Sequence, residues 1–434
     1  TRTTLASAFV LALLDRFSAR ERPPADSAIV SAIIVHNAHQ HARGHRSMTA
    51  AVTEEGTAPQ IRSTGASSSL VKLATDLVLR IPMRVYEYFF PAAADGCPLS
   101  ERAMMLLCML VHNCREVPVD PDGTPPPAPW SNPFRACFVA VADDVQNPLN
   151  VDQSRPSLPL VFDWMPRLPF EPLFQSFGPS LANGGKGSIM LYSLMHANKE
   201  FKDFVLARDD LDCIVLPLLE TMYAAPSVAP SHLYVILILL LMLSEDVAFN
   251  EGAHRRMHVP SVPWFAERAV SDISLGSLML VMMLRTLQYN STRAMDAFVH
   301  ENCFAIISNM APHVRGIENY CAQRVMSVVD VIGRRRKKRE ARAEGTEDET
   351  RLIVLLLELV ATSLRPSMLP FNLELMYALV QRREVVDTLS VDMDTDIASL
   401  AAPLVSMVDF FENVVETERA AECHEAASGA PPPP

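Results

Sequence analysis

The sequence predicts an all-α protein, and three observations carry that expectation. Apolar residues recur at helical spacing along most of the chain. Strand signals are almost absent. From residue 187 onward helices begin near Ser188, Leu211, His232, Val247, Ser274, Arg293 and Arg315. Every second start is separated by roughly 40–45 residues, the period of HEAT and armadillo repeats. The residues themselves do not repeat, so spacing and pattern alone carry the inference. The expected architecture is an α-solenoid of stacked antiparallel helix pairs, HEAT/armadillo-like, with a proline-rich loop insertion.

The clearest stretch is 261–332, read as three helices joined by short polar turns. The first, around 275–287, is apolar almost all round (Leu278, Met279, Leu280, Val281, Met282, Met283, Leu284), as a helix covered by protein on every side must be. The second places Met295, Phe298, Val299, Asn302, Cys303, Ile306, Ile307 and Met310 at helical spacing. The third does the same with Ile317, Tyr320, Cys321, Val325, Val328, Val329 and Ile332. This is a pattern for packing.

Bulk properties agree. The 434 residues are 49% hydrophobic and 20% charged, with mean hydropathy +0.14, enough for a continuous core. A net charge of −12 and a pI near 5.5 argue against nucleic-acid binding by the surface as a whole. The eight cysteines form no CxxC pair, and Cys108, Cys213, Cys303 and Cys321 lie in apolar helical stretches. They read as reduced, small hydrophobes in a cytosolic protein. No stretch reaches the roughly 20 apolar residues that span a bilayer. The run 233–243, LYVILILLLML, reads as a buried core helix.

In chain order, residues 1–45 predict two helices broken at Pro23-Pro24, the first amphipathic. The second ends in His36, His39, His41 and His45, spaced i, i+3 and i, i+4 as metal ligands sometimes are. No acidic or cysteine partner lies nearby, and a solvated polar face is the expectation. Residues 46–69 are a low-complexity linker, and 70–117 a helical segment with Pro82 kinking its first helix. Residues 118–187 are proline-rich and read as loop, with a short helix at 132–141. Their PDGTPPPAP run (121–129) is a plain insertion or a ligand for aromatic grooves. The helical repeat region occupies 188–418, with a charged insert at 333–350. Pro226 and Pro230 separate helix pairs, and Asn290-Ser291 is expected to cap a helix starting at Arg293. After the insert come helices at 352–364, 372–380 and 397–415, then a disordered tail at 419–434.

Catalytic motifs are missing: there is no G-x-S-x-G, H-E-x-x-H or G-x-G-x-x-G. The segment GPSLANGGKGS (178–188) fails as a phosphate loop because Gly187 follows Lys186 where Ser or Thr is required. His254 and His258 stand at i, i+4 with two arginines between them, so a surface face is expected and a metal is disfavoured. The carboxylate pairs Asp143-Asp144 and Glu245-Asp246 point apart and read as helix-end solvation. The sequon Asn290-Ser291-Thr292 matters only in a secretory lumen. No catalytic, cofactor or metal residue is assigned. Two polar residues fall inside packed stripes, Asn302 and Arg324, and each is expected to bond to a neighbouring helix end. The basic run Arg334, Arg335, Arg336, Lys337, Lys338 and Arg339 has three readings: a solvated helix end, a contact with anionic lipid headgroups, or nuclear import and nucleic-acid contact. The acidic run 344–349 weakens the last two.

Longer stretches carry more than composition. PWFAERAVSDISLGSLMLVMMLRTLQYN (263–290), FVHENCFAIISNMAPH (298–313) and YCAQRVMSVV (320–329) closely resemble the dymeclin family. So do NPFRACF (132–138), LYSLMHANKEFKDFVLARDDLDCIVLPLLETMY (191–223), ILLLMLSEDVAFN (238–250) and LMYALVQRREV (375–385). The resemblance covers most of the chain from about residue 132 to the last helix. It implies a non-enzymatic, cytoplasmic, all-helical scaffold or adaptor, peripheral on the Golgi apparatus, that supports Golgi organisation and vesicle trafficking. Its implied partners are Golgi trafficking proteins and the Golgi membrane surface, with no nucleic acid and no small-molecule substrate. It also implies a lipoprotein carrying myristate on a glycine after the initiator methionine, a role that falls on no residue of this chain, which begins at Thr1. The alternative from another class is a hydrolase or transferase whose site forms only in three dimensions.

Overall fold

The computed structural model describes residues 2–19, 98–112, 132–144, 167–182, 187–224 and 230–428. The histidine run, the linker 46–69, the helices expected between 70 and 97, the 121–129 prolines and Lys186 lie outside them. The described residues are predominantly helical, and the chain divides into two compact units, Thr1–Leu239 and Leu240–Pro434.

In the first unit, α1 (Arg2–Ala19) buries Val10, Leu14 and Phe17 and packs against α2 (Pro98–His112), α3 (Pro133–Val139) and α4 (Phe170–Ala182). The short helix expected at 132–141 is α3, started by Asn132, whose Oδ1 accepts from Phe134 N at 2.9 Å and Arg135 N at 3.2 Å. α4 corrects the expectation of loop through the proline-rich region. Its stripe Phe170, Leu173, Phe174, Phe177 and Leu181 is fully buried, and that burial outweighs the one hydrogen bond lost at Pro179. The stretch read as one helix from Ser188 is two, α5 (Ser188–Ala197) and α6 (Lys199–Leu206). Asn198 breaks it: the backbone turns extended there, and Oδ1 caps α6 by accepting from Phe201 N at 2.8 Å. α7 (Asp212–Tyr223) follows and packs on α4. Two residues each from β1 (Ala142–Asp143) and β2 (Arg167–Leu168) pair in parallel. Asp143 then caps α4, accepting from Phe170 N at 2.9 Å.

The unit boundary falls inside α8 (Pro230–Ser244), the apolar run expected to be core, whose residues from Val235 to Leu243 are all buried. In the second unit α9 (Val247–Arg255) is capped by Asp246. A feature not foreseen follows: β3 (His258–Ser261) and β4 (Ser271–Ser274) form an antiparallel ribbon. Val259 is the one buried residue of β3, and Ile273 and Ser274 are buried side by side in β4, so neither strand carries an alternation that could be read from sequence.

α10 (Leu275–Tyr289) is buried on nearly every side, as expected, and α11 (Ala297–Met310) packs on it. Between them Asn290–Ala294 forms a π-turn, and Met295 is left-handed at φ 52°. The expected Asn290-Ser291 cap at Arg293 is therefore corrected. The cap is Asp296, accepting from Phe298 N at 2.9 Å and Val299 N at 3.3 Å.

α12 (Asn319–Glu340) and α13 (Glu347–Ser363) pack together, so the charged stretch 333–350 is the end of one helix, a turn and the start of the next. α14 (Leu373–Gln381), α15 (Arg383–Ser390) and α16 (Thr395–Ser428) complete the unit. α15 was not anticipated. α16 runs through Ser428, correcting the disordered tail as far as that residue; 429–434 lie outside the described residues. Over Thr395–Ala420 α16 is long and apolar enough to cross a bilayer by length and composition, against the expectation that no stretch qualifies. Here its stripe Ile397, Ala401, Leu404 and Val408 is buried, with α13 and α15 packed against the helix.

Candidate functional site

The basic run occupies the last two turns of α12, where cations meet the negative end of the helix dipole. Helical geometry divides it into faces. Arg335 and Arg339, one turn apart, face α13: Arg335 Nε lies 3.1 Å and an Arg339 terminal nitrogen 2.7 Å from Glu349 Oε1. Arg335 also donates to the Ser291 carbonyl of the π-turn at 2.7 Å. Arg336 is nearly buried and donates to Asp392 Oδ1 at 2.9 Å. Both side chains of that pair are 8% exposed. Its Nε sits 2.9 Å from Glu340 Oε1 without hydrogen-bond alignment, a coulombic contact only. Arg334 pairs with Asp330, which also takes Arg382 at 3.3 Å. Lys337 and Lys338 are exposed and have no partner among the described residues.

The acidic run supplies Glu344 to Arg339 at 3.3 Å and Glu349 to both arginines. Three of the six basic residues thus tie α12 to neighbouring backbone and carboxylates. Arg334, Lys337 and Lys338 remain on the outer side.

Asn302 is buried, but it bonds within its own helix rather than to a neighbouring helix end. Its Nδ2 donates to the Phe298 carbonyl at 2.7 Å, one turn back. Arg324 is half-buried and reaches Gln288 Oε1 in the last turn of α10 at 2.8 Å, with Glu267 at 3.8 Å. Neither residue joins the basic run, so the sequence-singled residues form no single site.

His254 corrects the expected surface face. It is fully buried with neither ring nitrogen bonded, and its ring packs on the α10 backbone so closely that a Cβ at Gly276 would sit 2.4 Å from it. Burial first, and the charge of His313 second, lower its pKa to about 4, so the imidazole is neutral. His258, by contrast, is exposed. The sequon asparagine Asn290 is also buried, its side chain bonded to Asp296 N at 3.0 Å and Asp296 O at 2.8 Å.

Sequence reasoning missed one pairing with the outline of chemistry, His112 and Ser193, 2.8 Å apart. Ser193 Oγ spends its proton on the Ile189 carbonyl at 2.7 Å, so His112 Nε2 carries hydrogen and donates to Oγ. Its buried Nδ1 has no orienting acid. Desolvation, then Arg135 and His196, lower its pKa to about 4. A ring held in that tautomer cannot accept the serine proton. Cys213 is exposed, yet desolvation followed by Asp210 and Asp212 pushes its thiol up to about 11, the opposite of activation. Among the described residues no group of three His, Cys, Asp or Glu side chains could hold a metal ion.

These features define a predominantly helical protein in which several buried or half-buried polar groups, Arg324, Arg335, Arg336 and Arg339 among them, join one element to the next. The family model for dymeclin, described as the Dyggve-Melchior-Clausen syndrome protein, matches residues 1–427, and the chain belongs to that family. Dymeclin of Drosophila pseudoobscura pseudoobscura is 31% identical over 251 residues, 58% of this chain and 32% of the fly protein. Dymeclin of Gallus gallus is 30% identical over 316 residues, covering 68% and 44% of the two chains. Dymeclin of Mus musculus is 32% identical over 244 residues, covering 56% and 33%. The matches span less than half the length of each of these relatives. No solved structure matches the chain.

Proposed function

We propose that this chain forms part of a non-enzymatic helical scaffold that associates peripherally with the Golgi surface and supports Golgi organisation and vesicle traffic. Membership of the dymeclin family is the observation that carries the reading. A second support is the employment of polar side chains: Asn302, Arg324, Arg335, Arg336 and Arg339 all serve intramolecular contacts. The scaffold is a stack of antiparallel helix pairs. Helices α5, α8, α10 and α12 start at Ser188, Pro230, Leu275 and Asn319, roughly 40–45 residues apart as in HEAT and armadillo repeats, with α6 and α7 both lying between the first two and a single helix between each later pair. Its partners are trafficking proteins and the membrane surface, and it works in the cytoplasm.

Depletion of the protein from its native cells tests this. Golgi stacks should fragment and secretory cargo should slow, with rescue by the intact protein. Normal stacks and unchanged cargo transit after complete depletion would overturn the reading.

A further inference from the structure

α16 outruns the helices that cover it. Its buried stripe Ile397, Ala401, Leu404 and Val408 advances by four, three and four residues, the stagger of a seam that receives another helix. α13, α14 and α15 pack against the helix. The same stagger continues to Phe411 and Val415, but the cover does not. Phe411 is half-buried and Val415 is 47% exposed, and beside them Phe410 and Val414 are 63% and 37% exposed. From Asn413 to Ala420 every residue is exposed, so no side of these two turns is covered. A helix exposed all round draws little stability from packing, and its apolar residues remain available to a partner.

Carried further, the stagger reaches Glu418 and then positions 422 and 425, both glutamate. The seam thus passes from apolar to acidic along its length and holds no cation. Arg419, the one arginine or lysine between 409 and 428, lies off that line. Arg383 of α15 takes Asp409 and Glu412, whereas Glu418 is exposed and has no partner among the described residues. The negative end of the helix dipole lies at the same end, with no basic residue in the last turn to offset it.

We propose that the open end of the α16 seam docks a basic amphipathic helix of a partner protein. The partner's apolar residues, at heptad spacing, cover Phe411 and Val415, and its lysines or arginines face Glu418 and the glutamates beyond. Charge selects this occupant. A second copy of the seam offers no cation to these glutamates, and an anionic bilayer repels them. The inference rests on the scaffold reading and supplies one partner surface for it. Binding in solution is independent of where the protein resides, so either can fail alone.

The probe is a fluorescein-labelled synthetic helix with leucine at its a and d positions and lysine at e and g, read by anisotropy against the full chain. Glu418→Lys should weaken its binding by about tenfold and Val415→Ser by about fivefold. Glu416→Lys makes the same charge change two residues away, on the opposite side of the helix, and should alter binding by less than about threefold. All three residues are exposed, so none of these changes disturbs the core. Equal losses from Glu418→Lys and Glu416→Lys would overturn the proposal. So would equal binding of a probe with glutamate in place of lysine, or no binding by the unaltered protein below about 100 μM. Capture of phosphatidylserine vesicles without capture of the probe would overturn it in favour of a lipid contact. A dimer that Val415→Ser dissolves and the probe leaves intact would overturn it in favour of a second copy.

Discussion

Asn302 and His254 are both buried polar side chains in the second unit, and they hold their places differently. Asn302 returns one bond to its own helix, so Asn302→Ala removes that bond and leaves a small void. A loss of about 1 kcal/mol is expected, offset in part by the better helix propensity of alanine. An unchanged melting temperature would contradict it. His254 has no bond to give. Its native pKa of about 4 lies below the ordinary 6.5, so the folded state resists a proton that the unfolded chain accepts. Its contribution is therefore complete above about pH 6.5 and declines as pH falls toward about 4, by on the order of 3 kcal/mol. Urea unfolding across that window should show His254→Gln flattening the slope; an unaltered slope would remove His254 from the account. Sequence could not show this. EGAHRRMH reads as polar, and only the close approach of Gly276 in α10 explains why the histidine points inward.

At the scale of elements, the long helices were legible because their apolar stripes repeat at 3.6 residues, as in α10, α11 and α12. Where the fold departs from that pattern, it rests on interactions that periodicity does not encode. α4 persists through Pro172 and Pro179 because its phenylalanines are buried, and the β3–β4 ribbon is too short to alternate visibly. The π-turn moves the start of α11 to Asp296, and the cap tests that placement. Asp296→Ala should cost about 1 kcal/mol, since it frees two backbone donors while leaving the apolar stripe intact. Loss within error of zero would mean that packing alone starts the helix. Gly333→Ala should act in the opposite direction. The added methyl finds ordinary van der Waals space, so α12 should gain roughly 0.5–1 kcal/mol. A fall in melting temperature would show that the backbone there is held more tightly than its surroundings indicate.

For the whole molecule, the two units 1–239 and 240–434 each enclose a core of their own. The helical class was readable from composition and spacing. The family was readable from the motifs between residues 132 and 385, and the match over residues 1–427 extends it. The candidate site was legible only as a run of charge. Which cations are spent and which stay free depends on the faces of α12 and on carboxylates up to 56 residues away, such as Asp392 for Arg336. A linear reading cannot sort these. We propose a Golgi-associated scaffold. Proximity labelling from the protein at its native expression level tests it most directly. The labelled neighbours should be mainly cytoplasmic-face Golgi and vesicle-traffic proteins; a neighbour set drawn mainly from another compartment would contradict the account.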